Sequence, residues 1–167
     1  MKLKIYISYF YQVRFFTPEM VPFSTAKWDP KWFHNSGSVN YIFKDMRGVI
    51  NGLRIEDLIM PDSYVQLLTQ KDQMCHKGCS KQLPCMFMQL YKQYLDTLDF
   101  DYIMSSLLTS AHAARNGLPF QIVLLVHEAA NCLCAERPVL MQWLREHDIE
   151  VEEWQPTVSK LVTTALF

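Results

Sequence analysis

The sequence predicts a compact three-layer, Rossmann-like α/β domain with a largely parallel sheet, built as a single domain over residues 1–167. Three observations predict it. The segment "FQIVLLVHE" holds an unbroken apolar run bounded by turn signals, the pattern of a strand buried on both faces of a parallel sheet. Apolar residues recur at helical spacing in "CMFMQLYKQYLDTL" and again between residues 135 and 147. The elements follow one another as strand, strand, helix, helix, strand, helix, strand, which is the order of a layered α/β fold.

Each element has its own reason. Lys2 to Phe10, "KLKIYISYF", is rich in β-branched and aromatic residues and reads as a buried strand. Val21 to Ala26, "VPFSTA", is a weaker strand, and Pro22 places it at an edge because proline cannot donate to a ladder. From Lys27 to Asp62 no period holds, so the region reads as loop anchored by Trp28 and Trp32, with "NGLRIEDLIMPD" forming a turn and a short strand or helical turn. Ser63 to Gln70 predicts a short helix capped by Asp62 behind Pro61. "KDQMCHKGCSKQLPC" is polar and irregular, a loop. Pro84 then opens a helix whose face is Phe87, Leu90, Tyr91, Tyr94, Leu95 and Leu98. Asp99 caps a second helix with a stripe of Tyr102, Ile103, Leu107, Ala111 and Ala114, stopped by Asn116-Gly117. Ala135 to His147 is a helix with Pro138 tolerated in its first turn and Leu140, Trp143 and Leu144 facing inward. "IEVEEW" is a short strand, and residues 155–167 form a final helix or an arm.

Composition narrows the function classes. Half of the residues are apolar and a fifth are charged, so the chain folds around a sizeable core. The formal charge of −1 argues against a non-specific nucleic-acid footprint. No run of about eighteen apolar residues occurs, and the N-terminal apolar run is too short for a signal peptide, so the expected location is the cytoplasm. Five cysteines, an odd number, fit a compartment where thiols stay reduced.

Chemistry concentrates where the strand ending at Val126 gives way to the next helix. His127, Glu128, Asn131, Cys132, Cys134, Glu136 and Arg137 place seven polar or reactive side chains in about ten residues. Ligands of open parallel sheets sit beyond the carboxyl ends of strands, where the first strand also brings Ser8 and Tyr9. A thiol at a helix start has a lowered pKa, which makes Cys134 a candidate nucleophile. Arg137 could bind an anion bidentately, and Glu128 could act as general base or orient His127. The candidate catalytic set is therefore Glu128, Cys134, Arg137 and Ser8. The ligand-binding set is Tyr9, Lys27, Trp28, His127, Asn131 and Glu136. The competing reading makes Cys134 a buried core thiol and Glu128 with Arg137 a structural pair.

"KWDPKWF" sets Lys27 and Lys31 beside Trp28 and Trp32, a combination that can stack on a base and hold a phosphate or, alternatively, pin a loop to the core. Cys75, His76, Cys79 and Cys85 are the zinc candidates, but they form one cluster without the separated second pair usual for zinc, and no metal site is expected. The glycine-rich dinucleotide and P-loop motifs, the zinc-protease helix and the nucleophile elbow are all missing from the sequence.

Three blocks, "IYISYF", "YKQYLDTLDFDYIMSSL" and "IVLLVHEAANCLCAERPVLMQWLREHDIEVEEW", resemble in that order the bacterial and phage proteins grouped as domain of unknown function 488. The resemblance covers most of the chain loosely, and its specific part is the last block. It implies a compact α/β fold, makes Glu128 the strand-end acid and Cys134 the motif cysteine, and matches Trp143-Leu144 to the helix end. The chain departs from the family's Cys-His-Arg by carrying Ala135, Glu136 and Arg137, a Cys-x-Glu-Arg branch in which His127 is the histidine left to substitute. Two functions are open on these grounds. One is an enzyme acting on a nucleotide, nucleoside or nucleic-acid end. The other is a non-enzymatic binding or accessory module of phage or mobile-element origin.

Overall fold

The computed structural model describes residues 2–33, 52–68, 85–128 and 135–156. Five parallel strands form one sheet in the order β3-β2-β4-β1-β5. They are β1 (Lys4–Tyr9), β2 (Met20–Ser24), β3 (Leu53–Arg54), β4 (Gln121–Val126) and β5 (Glu150–Glu153). The helices are α1 (Asp62–Leu68), α2 (Met86–Asp96), α3 (Phe100–Ala114) and α4 (Glu136–Glu146), with 3-10 turns at Phe10–Phe15 and Glu56–Leu58. The α/β class and the parallel sheet are as the sequence predicts. The order differs from a dinucleotide-binding sheet, in which the first strand neighbours the second, because β4 is inserted between β1 and β2.

Burial accounts for the order. β4 runs through the middle, and Ile122 through Val126 are all within 1 % of complete burial. Ile122, Leu124 and Val126 pack with Ile5, Ile7, Val21 and Phe23 against the inner faces of α2, α3 and α4. Val123 and Leu125 point to the opposite face, among Phe10, Val13, Phe16, Met20 and Phe33. One face of the sheet is thus covered by α-helices. The other is covered by the Phe10–Phe15 turn and an aromatic cluster in which Phe10 meets Phe33 edge-on at 5.1 Å. Trp143, the largest side chain with no exposure, sits on the helical face with Leu140 and Leu144.

Several local expectations need correction. β2 is an interior strand with all five residues buried, and Pro22 does not place it at an edge. The reason is parity. Ser24 turns its carbonyl towards β3, where it accepts from the Ile55 N–H. Pro22, two residues earlier, turns its nitrogen the same way, but among the described residues the β3 ladder begins only at Phe23, so Pro22 interrupts none of its described bonds. β1 stops at Tyr9, since Phe10 already belongs to a 3-10 turn. Asp62 is the first residue of α1 and not its cap, while the Pro61 carbonyl accepts from Tyr64 and Val65. Tyr102 is 63 % exposed and leaves the stripe of α3, where Met104 is buried in its place.

Other expectations match. The Asp99 side chain accepts the Tyr102 N–H and caps α3. Asn116 and Gly117 end it with φ of 52° and 80°, and Asp148 ends α4 with φ of 61°. Among the described residues no helix is long and apolar enough to cross a membrane. Residues 157–167, assigned above to a helix or arm, lie outside the described residues.

Candidate functional site

The connections explain where a crevice must open. β2 leads outward to β3, whereas β4 leads in the opposite direction, over β1, to β5. Loops that leave neighbouring strands in opposite directions part above the sheet, and ligands of open α/β sheets lie in that gap. A cavity of about 330 Å³ occupies it. Ala26, Lys27 and Trp28 enter from beyond β2, His127 and Glu128 from beyond β4, and Glu136 from the first residue of α4. Ile59 and Met60 after β3, Val65 on α1 and Phe87 on α2 form apolar walls.

The β2 side is held rigidly. Both the N–H and the hydroxyl of Thr25 donate to the Leu125 carbonyl, each at 2.9 Å. Ser24 Oγ donates to the Asp29 carboxylate and accepts the Ala26 N–H at 3.1 Å. Arg54 closes the turn by donating to Asp29 at 2.8 Å and to the Lys27 carbonyl at 2.9 Å. The turn is therefore fixed from two neighbouring strands, and it presents Trp28 at the rim, 77 % exposed. Lys27 directs its ammonium to Asp62 at 2.6 Å.

Arg137 is engaged in the structure of the site. It is 5 % exposed. Its Nε donates to Glu153 Oε2 at 2.7 Å, and a terminal nitrogen donates to the Glu128 carbonyl at 2.7 Å. Its guanidinium lies 5.8 Å from the centre of the Tyr9 ring. Against the expectation that Arg137 holds a ligand anion, its Nε serves β5 and a terminal nitrogen serves the end of β4, while the guanidinium lies near the Tyr9 ring of β1. Tyr9 accepts from Gln12 at 2.8 Å and supports that clamp. Ser8 has no exposure, lies on the opposite side of β1 from Ile5 and Ile7, and does not line the cavity.

The carboxyl groups are the unusual element. Among the described residues, Oε2 of Glu128 and Oε2 of Glu136 are shut from solvent and have no hydrogen-bond partner, although both residues line the cavity. Burial first, and the negative charge of Glu128 second, push the Glu136 carboxyl from 4.5 up to about 8. Burial also raises Glu153, against the opposing pull of Arg137. A carboxyl kept neutral beside a second carboxyl is the arrangement that acid–base chemistry and the binding of nitrogenous ligands both use.

Of the residues predicted from sequence, Glu128, Glu136, His127, Lys27 and Trp28 meet around one cavity. Ser8, Tyr9 and Arg137 stand outside its lining. Asn131, Cys132 and Cys134 lie outside the described residues, as do the zinc candidates Cys75, His76 and Cys79. Cys85 stands at the start of α2, and no group of three metal-ligating side chains is assembled among the described residues. Ser24, Thr25, Asp29 and Arg54, which shape the Trp28 turn, were not picked out. The hydroxyl pair directly after an apolar strand with an acid five residues on, "STAKWD", is the signal that marks such a turn. No family model matches the chain, and no curated protein and no solved structure matches it either.

Two outcomes follow. Arg137→Ala should lower stability in urea unfolding by about 3 kcal/mol, because it leaves the half-buried Glu153 and the Glu128 carbonyl without their donor, and the double variant Arg137→Met/Glu153→Leu should recover most of the loss. Glu136 has a raised folded pKa, so its stabilising contribution is complete below pH 4.5 and is lost as pH rises to about 8. Between about pH 6 and pH 9 the wild type should therefore lose roughly 2–3 kcal/mol more stability than Glu136→Gln, measured by denaturant titration at each pH.

Proposed function

We propose that the cavity between the ends of β2 and β4 binds a small nitrogenous molecule, a nucleobase or nucleoside, and that Glu128 is its acid–base group. The observation that carries this reading is the pair of solvent-shielded, unpartnered carboxyl oxygens on two residues that line one cavity, whose apolar walls are Ile59, Met60, Val65 and Phe87. Unmet acceptors in an apolar setting favour a ligand that brings donors, since a buried polar group without a partner costs roughly 1–3 kcal/mol. Trp28 at the rim offers a face on which a planar ring can stack. The phosphate of a nucleotide has less support, because Lys27 is paired with Asp62 and Arg137 with Glu153.

One observation favours the second reading, a non-enzymatic binding or accessory module. Two of the catalytic candidates, Arg137 and Ser8, are buried structural groups. The proposal also keeps the kinship with domain of unknown function 488, supported by an acid directly after the central strand and by Trp143-Leu144 late in the following helix. It keeps a cytoplasmic location, supported by the odd cysteine count.

Titration of adenosine, cytidine and guanosine into the protein, followed through Trp28 fluorescence against a Trp28→Phe control, tests the reading. At least one nucleoside should bind, and Glu128→Gln should weaken it at least about tenfold while leaving the melting temperature nearly unchanged. Equal binding by Glu128→Gln, or no binding of any nucleoside, contradicts it.

A further inference from the structure

The two carboxyl groups define a head group more narrowly than "nitrogenous". We propose that the cavity takes a ligand with an amidine-type edge, one carbon bearing two nitrogens, held as a cation between Glu128 and Glu136 with its apolar body against Met60, Phe87 and Trp28. The inference rests on the reading that this cavity is a ligand site.

Each carboxyl presents an oxygen that is closed to solvent and has no partner among the described residues. The two come from different elements, the end of β4 and the first residue of α4. A planar N–C–N edge carries donors diverging from one carbon, so one can serve each carboxyl, and charge-assisted bonds of that kind are about twice as strong as neutral ones. An ammonium would satisfy the same oxygens but would set no flat body against the apolar walls. Ile59, Met60, Val65 and Phe87 favour a ligand whose remainder is apolar.

The proton balance follows. With Glu136 protonated and Glu128 ionised, the pair holds one proton. A neutral amidine edge, as in an aminated heterocycle, enters and receives that proton on its ring nitrogen, leaving two carboxylates around a cation. A ligand that arrives already charged must instead expel the proton to solvent. Charged and titratable groups around Glu136 are Glu128 and His127 beyond β4, Lys27 beyond β2, Tyr91 on α2 and Arg137 beside it on α4. Tyr91 is raised by burial and donates to the Leu58 carbonyl, so it stays protonated.

Benzamidine is the probe, with the near-isosteric neutral benzamide as control, by calorimetric titration of the whole protein between about pH 6 and pH 9. Benzamidine affinity should rise about tenfold per pH unit and level off near pH 8, with one proton released per molecule bound at the acid end. Above pH 8 benzamide should bind at least about tenfold more weakly. Glu136→Gln should lose the pH dependence, which separates Glu136 from His127. Glu128→Gln, as a second variant, should lose affinity at every pH. Equal binding of the two probes, or a flat profile in the wild type, overturns the amidinium inference. If a nucleoside still binds in that case, the small-molecule reading survives alone. If neither benzamidine nor any nucleoside binds, both fall.

Discussion

The carboxyl edge of this sheet depends on one buried guanidinium. Arg137 bonds the Glu128 carbonyl at the end of β4 and the Glu153 carboxylate of β5, and it lies over the Tyr9 ring at the end of β1. Three strands that are neighbours in space but far apart in sequence are thereby tied at one end. Removing such a cation from water is costly, and only close, well-directed bonds offset that cost. Because Arg137 is the second residue of α4, the same clamp sets where the helix begins and therefore where Glu136 stands. Because it bonds the main chain of Glu128, it holds that residue by its backbone.

The site chemistry follows from that division of labour. The charge of Arg137 is directed to Glu153, and the Lys27 ammonium is directed to Asp62. Glu128 and Glu136 both line the cavity, and each keeps one carboxyl oxygen shut from solvent without a hydrogen-bond partner among the described residues. Burial first, and the charge of Glu128 second, make the Glu136 carboxyl retain its proton up to about pH 8. Opposite them, the Ser24–Asp29–Arg54 network makes a rigid turn of the β2 exit and keeps Trp28 outside. A rigid rim and two unpartnered carboxyl oxygens are the features on which the proposed ligand site rests.

Much of this was legible in the residues themselves. The continuous apolar run of β4, the Asp99 cap and the inner face of α4 are local patterns, and local patterns survive tertiary context. The meeting of five candidate residues around one cavity was legible too, since His127, Glu128 and Glu136 follow the central strand and Lys27 and Trp28 follow its neighbour. The role of Arg137 was not, because it depends on Glu153, sixteen residues on and brought near only by the order of the strands. The same holds for Arg54 and Asp29, twenty-five residues apart. Pro22 misled because the rule against interior proline assumes that its missing N–H faces a partner, and among the described residues the ladder to β3 begins only at Phe23. Ser8 misled because strand alternation, one residue out, exchanges the cavity side of a sheet for its opposite face.

The central claim is that Glu136, buried at the edge of the cavity and close enough to feel the charge of Glu128, keeps its proton well above the ordinary carboxyl range. The most direct measurement is the carboxyl-carbon chemical shift of Glu136, followed by NMR from about pH 3 to pH 10 in protein labelled at glutamate and assigned with Glu136→Gln. A midpoint near 8 that falls towards the ordinary carboxyl range in Glu128→Gln agrees with the account. A midpoint near 4.5, unmoved by that substitution, would contradict it.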